Sequence, residues 1–297
     1  MNPNNNLESE PSLSTARVAS WSQMFLPVVA AAILAALSWP VWRWLWQEWM
    51  GNEYYSHGVL IPAVAAFLIV QRIRNDEDFK WQWGATNVIS LLVLMLGLVA
   101  FVYFVNNKAY YVASIVLIML IGILIWAFGG KLATSKLIFP IAYLIFMVPL
   151  PFIERSTLPL AMFTGVCSSG LVQFLGIQLE VVGNAIKLPN ANLVVGAQCS
   201  GINSLIALTA LTALAAYIFE GPLWAKVLLT FAAIPLALIS NILRVASLIY
   251  VAKNYGAESA FTFYHDYSGP IFFAVVLLFM YPIAKLLRFQ NFRLNVI

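Results

Sequence analysis

The chain has 297 residues, of which 62% are hydrophobic and 9% charged, with a mean hydropathy of +0.86; that excludes a soluble globular domain and marks an integral membrane protein. The net charge of +4 is spread between apolar stretches, so no basic patch for nucleic acid is formed. Two cysteines, Cys167 and Cys199, exclude a disulfide framework and leave room for one bridge.

In chain order, residues 1–20 are polar and Asn/Ser/Glu-rich, and are expected to be a disordered N-terminus. The first predicted span covers 24–46 and ends among Trp39, Trp42, Trp44 and Trp46, aromatic residues that favour the bilayer interface. No small-residue cleavage site follows it, so it reads as a retained anchor. A polar link at 48–58 holds Tyr55-Ser56-His57-Gly58. Further spans are expected at 59–71, 87–105, 110–128 and 137–150, of which 87–105 and 110–128 come close to the length of about 20 residues that a bilayer needs. Segment 151–176 is apolar but interrupted by Pro151, Pro159, Gly165 and Gly170. It is compatible with crossing, re-entering or lying along the interface. Residues 179–198 hold β-type runs around Pro189-Asn190-Ala191-Asn192, which predicts a small β-hairpin. Spans at 200–219, 223–243 and 268–287 complete the set, the last two separated by a polar loop at 253–267. The expected fold class is an all-α integral membrane protein of about eight transmembrane helices, with a short outer-face β-hairpin before the helix that follows Cys199.

Basic residues choose the topology. With the N-terminus in the cytoplasm and 151–176 on the outer face, ten Lys and Arg fall inside and six outside, namely Arg43, Lys108, Arg155, Lys187, Arg244 and Lys253. Crossing by 151–176 would reverse the balance of the C-terminal half. The domain plan is thus a cytoplasmic N-terminus (1–20), a multi-span membrane domain (21–290, with 151–198 an outer-face interfacial segment and hairpin) and a cytoplasmic tail (291–297). His57, Cys199, Arg244 and His265 then all reach the outer face.

Gln198-Cys199-Ser200-Gly201-Ile202-Asn203 sets a thiol where a turn gives way to a long apolar helix. Unpaired N–H groups and the helix dipole at such a start favour negative charge, so a lowered thiol pKa and a cradle for an oxyanion are expected. The plainer reading of Cys199 is a small packing residue or half of a disulfide with Cys167. Gly201 lets a substrate backbone approach, and Ser200 is a helix cap or a rival nucleophile. Arg244 ends an apolar run, with Ser240 and Asn241 on its helix face; it is a snorkelling cation or a fixed guanidinium for a carboxylate or oxyanion. His265, in Tyr264-His265-Asp266-Tyr267-Ser268-Gly269, titrates near neutrality and suits proton transfer. Asp266 is its sequence neighbour and His57 the competing base. Two histidines and scattered carboxylates form no compact metal set, and no metal or cofactor is expected.

Together Ala197-Gln198-Cys199-Ser200-Gly201, Asn241-Ile242-Leu243-Arg244-Val245 and His265-Asp266-Tyr267-Ser268-Gly269 resemble the exosortase/archaeosortase family, and Tyr55-Ser56-His57-Gly58 looks like a further family feature. The resemblance covers roughly 40–287. It implies a membrane cysteine protease or transpeptidase acting on membrane-anchored proteins that carry a C-terminal sorting signal, of the PEP-CTERM type in bacteria. It also implies Cys199 as nucleophile, Arg244 as transition-state stabiliser and His265 as proton-transfer residue. The expected location is the inner (plasma) membrane with the site facing the periplasm or outside. The resemblance leaves the subfamily and the acceptor nucleophile open, and some members carry a soluble C-terminal domain for which this sequence shows no segment. Two other classes compete. One is a transporter with ionisable groups lining a path; the other is a non-catalytic membrane subunit of exopolysaccharide assembly and export, in which Cys199→Ala is silent.

Overall fold

The computed structural model describes residues 21–82, 86–196, 199–260, 264–289 and 291–293, apart from the side chains of residues 21–23, 265 and 266. The expected disordered segment 1–20 lies outside the described residues. Helix α1 (Trp21–Leu37) bends by 51° into α2 (Trp39–Gly51). Pro40, at the start of α2, cannot donate a backbone hydrogen bond, which favours a break there. A 3₁₀ turn, Glu53–Val59, leads into α3 (Leu60–Asn75). Helix α4 (Val88–Asn106) starts at a capping box in which Asn87 and Ser90 satisfy each other's backbone N–H groups.

Helix α5 (Tyr110–Tyr143) is broken at Gly130, whose φ of +84° only glycine adopts without strain. Contacts at its ends show that it doubles back. Tyr110 stacks on Trp44, and Met147 accepts a hydrogen bond from Trp49 Nε1, so both ends lie against α2. Between them, Gly129 accepts from Gln82 N–H, and Lys136 pairs with Asp76 just past α3. The two predicted spans 110–128 and 137–150 are thus the arms of one reversal.

After a 3₁₀ turn at Leu144–Met147 comes α6 (Pro151–Phe174), a continuous helix of 24 residues. Its start is tied to the Glu53–Val59 region by Leu150 N–H donating to Tyr55 Oη (2.9 Å) and by Asn52 Nδ2 donating to Glu154 (2.9 Å). Strands β1 (Glu180–Val182), β2 (Ala185–Leu188) and β3 (Ala191–Val194) follow as an antiparallel meander in the order β1-β2-β3. The expected hairpin is its second half, paired Leu188 to Ala191 across Pro189-Asn190; the extra strand turns at Gly183, whose φ is +63°. Helices α7 (Ile202–Ile218) and α8 (Leu223–Tyr255) form an antiparallel pair. A single turn, α9 (Ala257–Ser259), precedes α10 (His265–Leu286).

Six helices among the described residues are long and apolar enough to cross a bilayer, seven if α1 and α2 count as one bent span. This differs in make-up from the eight expected. The α5 arms are counted together, α6 passes the length test, and α7, with 17 residues, falls short of it. Helix α6 runs in the same direction as α8: Thr164 meets Asn241, Ser168 Oγ donates to the Ile242 carbonyl, and Val172 and Leu175 share a cavity with Ala246 and Tyr250. It therefore leads towards the sheet and the Lys253 end of α8.

The buried apolar residues fall into three clusters. One unites α1 to α5, a second joins the sheet to α6 and α8, and a third lies between α7, α8 and α10. In the second, Ile186, Leu188, Leu193 and Val195 face Val245, Ile249 and Ala252, while Lys187, Asn192 and Val194 point out. Period-two burial on a period-3.6 helix thus clamps the segment before Cys199 to α8.

Candidate active site

Cys199 lies three residues before Ile202, the first residue of α7, in the second cluster, with 4% of its surface exposed. Gly201 turns the chain into α7 with a φ of +74°. A Cβ there would come within 2.6 Å of Asn241 Cγ, so glycine is needed for α8 to approach. That approach lets Asn241 Nδ2 donate to the Cys199 carbonyl (2.7 Å) and to Thr164 Oγ1 (3.3 Å). Both amide hydrogens are used, and α6, α8 and the cysteine turn are joined at one buried point. Ser200 is buried as well. Its hydroxyl accepts from Ile202 N–H at 3.4 Å, although Gly201 occupies the cap position expected for Ser200.

Helix geometry sets the depth of this turn. At 1.5 Å per residue, the 17 residues of α7 cover about 25 Å, close to the roughly 30 Å of a hydrocarbon core. Cys199 is thus about one bilayer thickness from the Tyr217 end. Helix α8, with 33 residues, is about 50 Å long and continues well past Asn241, carrying the sheet.

One turn beyond Asn241, Arg244 Nε donates to Ser268 Oγ (3.1 Å) on α10, and its guanidinium lies beside Gly269. Ser240 Oγ donates to the Phe272 carbonyl of the same helix. Ser240 and Arg244 therefore share the face towards α10, whereas Asn241 faces α6 and Cys199; the single face expected for all three is divided between two neighbours. Next along α8, Ser247 donates to the Arg244 carbonyl and accepts from Tyr264 Oη, both at 2.7 Å. His265 is the first residue of α10, between two residues, Tyr264 and Ser268, that are docked on α8. The side chains of His265 and Asp266, and all of Ala197 and Gln198, lie outside the described residues.

Burial pushes the Cys199 thiol up, and the positive charge of Arg244 and a backbone hydrogen bond at Gly196 act in the opposite direction without cancelling it. The expected low thiol pKa is thus corrected. The thiol precedes the α7 cap rather than sitting on its free N–H groups, and desolvation of a charge outweighs a nearby cation here. Cys167 and Cys199 are both free thiols.

His57 is placed elsewhere. It lies in the 3₁₀ turn before α3, half-buried and stacked on Tyr55 with ring centroids 6.3 Å apart. Neither ring nitrogen makes a well-formed hydrogen bond, although the Phe146 backbone is close. No hydrogen bond or ring contact among the described residues links it to Cys199 or Arg244, although its turn packs against α7, where Tyr55 shares a cavity with Leu205 and Ile206. Thr164 and Ser247 had no sequence signal, because a lone hydroxyl in an apolar helix looks the same whether it packs or positions. Among the described residues no group of His, Cys, Asp and Glu is arranged to hold a metal.

A cavity of about 420 Å³ opens beside this chain of contacts, between the end of α6 and α8, with Leu243, Ser247, Tyr250 and Lys253 among its lining. A family model described as transmembrane exosortase (Exosortase_EpsH) matches residues 46–282. The chain belongs to the transmembrane exosortase family. No curated protein and no solved structure matches it. In exosortase terms, the match takes in all three motif regions, around Cys199, Arg244 and His265, and begins at the Trp-rich α2.

Proposed function

We propose that this exosortase is a cysteine transpeptidase that cleaves C-terminal sorting signals, of the PEP-CTERM type, at the outer membrane–water interface. The observation that carries the reading is the joint held by Asn241: one amide fixes the cysteine turn to α8, one turn away from an arginine docked on the helix that begins with His265. The depth of Cys199 and the excess of basic residues at the other end support an outward-facing site in the plasma membrane.

In this mechanism the substrate enters laterally, its own helix beside α7, α8 and α10, with an extended segment near the sheet and side chains in the α6–α8 cavity. Cys199 is a neutral thiol at rest, so it needs a base. His265 takes the proton, Sγ attacks the scissile carbonyl carbon, and Arg244 faces the developing oxyanion. As the C–N bond breaks, His265 returns the proton to the leaving amine and a thioester remains on Cys199. An acceptor amine completes transfer, or water completes hydrolysis. Asn241 and Thr164 hold the turn in place throughout.

The test is co-expression with a signal-bearing protein. Wild type should process it, and Cys199→Ala, Arg244→Ala and His265→Ala should each leave it full length. Equal processing by all four proteins would end the enzymatic reading and favour a non-catalytic membrane subunit.

A further inference from the structure

At the end of the bundle away from the sheet, a second cavity of about 420 Å³ opens between α5, α7, α8 and the residues after α10. Two cations line it, Lys226 and Arg293, and neither makes an ion pair among the described residues. Glu220, exposed and outside ion-pair distance, is the carboxylate whose field reaches Lys226; Arg293 opposes it with a like charge. Arg293 is held in place, with Nη1 donating to the Tyr217 carbonyl (3.4 Å) and its guanidinium 5.7 Å from the Tyr217 ring, which in turn stacks on Phe139 at 3.9 Å. Tyr217 Oη is buried and has no hydrogen-bond partner among the described residues. Thr230 is already used, donating to the Lys226 carbonyl.

Two like charges beside an unsatisfied hydroxyl fit an anion, because one phosphate would relieve the repulsion and accept the hydrogen bond. The surroundings decide its source. Leu223, Val227 and Phe231 recur every four residues along α8 and are 77%, 49% and 64% exposed, so an apolar stripe runs from this cavity along a bilayer-facing helix. A soluble anion has no use for that stripe; an acyl chain does. The fields of Arg72 and Asp76 reach Tyr217, and Lys136 pairs with Asp76, so the same end gathers further basic groups.

We propose that this cavity binds an anionic phospholipid: Lys226 and Arg293 grip the headgroup phosphate, Tyr217 donates to it, and an acyl chain lies along Leu223, Val227 and Phe231. The lipid braces α5, α7, α8 and the segment after α10 at the base of the helix pair that carries Cys199.

Native mass spectrometry of the full chain in detergent tests this with phosphatidylglycerol, phosphatidylcholine and inorganic phosphate as probes. Wild type should retain phosphatidylglycerol in preference to phosphatidylcholine, and Lys226→Gln and Arg293→Gln should each reduce that preference about fivefold. The double variant should lose it, Lys226→Arg should keep it, and Lys187→Gln at the far end should change nothing. An unchanged preference in the double variant overturns the proposal. So does displacement of the lipid by millimolar inorganic phosphate, which would make this a site for soluble anions. Should the double variant fail to fold, Lys226→Gln decides alone, since it leaves the Arg293–Tyr217 stack intact; an unchanged preference there has the same force.

Discussion

Cys199 shows how one position can combine opposed electrostatic demands. Burial favours the neutral thiol, and Arg244 favours the thiolate. Removing the cation should therefore raise the thiol pKa further. In Arg244→Gln, alkylation of Cys199 by a small thiol reagent should be slower at pH 8 than in wild type, and its pH profile should move to higher pH; an unchanged profile would mean that Arg244 does not act on the sulfur. Because the folded value is raised, the stabilisation from burying the neutral thiol is complete below the unfolded value and fades as pH rises through the folded one. Asn241 works by geometry instead. Asn241→Ala leaves the Cys199 carbonyl and Thr164 without their donor, a loss of about 1–3 kcal/mol for buried partners. It should lower processing while Cys199 is still present and alkylatable. Thr164→Val should reduce processing more than Thr164→Ser, which keeps the hydroxyl.

Among the elements, α5 depends most on a single residue. The reversal at Gly130 has a φ of +84°, and an added Cβ would collide with the Gln82 side chain. Gly130→Ala should cost about 1–3 kcal/mol from this glycine-only backbone conformation (φ +84°, ψ 174°) alone, measured as a lowered thermal midpoint in detergent. An unaffected midpoint would argue against the fold-back. The meander is explained by alternation: Ile186, Leu188 and Leu193 are buried while Lys187, Asn192 and Val194 are exposed, so the strands lie flat on α8 and deliver the chain to Cys199.

Across the whole molecule, the bundle end opposite the sheet is held by Asp76, which bridges Arg72 (3.1 Å) and Lys136 (2.9 Å). Burial would raise this carboxyl, but Lys136 and Arg72 outweigh it and hold its pKa below the usual range. A depressed acid contributes stability above its unfolded value, about 3.9, and loses it as pH falls through the folded value. Wild type should therefore lose thermal stability on acidification below about pH 4, and Asp76→Asn should be less stable at neutral pH with a flatter acid response. Equal acid sensitivity in both would remove this tie from the account.

Much of the molecule can be read from residue order, because the signals involved are local. Runs of apolar residues the length of a bilayer, turn residues at Pro189-Asn190 and the three motifs around Cys199, Arg244 and His265 each announce themselves without reference to the rest of the chain, and they led to the correct family. What only the tertiary structure decided depends on who meets whom. Thr164 became the partner of Asn241 because α6 runs alongside α8, a direction that no local pattern encodes. Cys199 proved to be a thiol pushed up rather than down because desolvation is set by packing from distant segments. His57, within a segment that looks like a further family feature, makes no hydrogen bond or ring contact with Cys199 among the described residues because its turn packs along α7 and on the Leu144–Met147 turn instead. Local preference needs only neighbours along the chain; pKa, burial and convergence are properties of the space between elements, which exists only once they have packed.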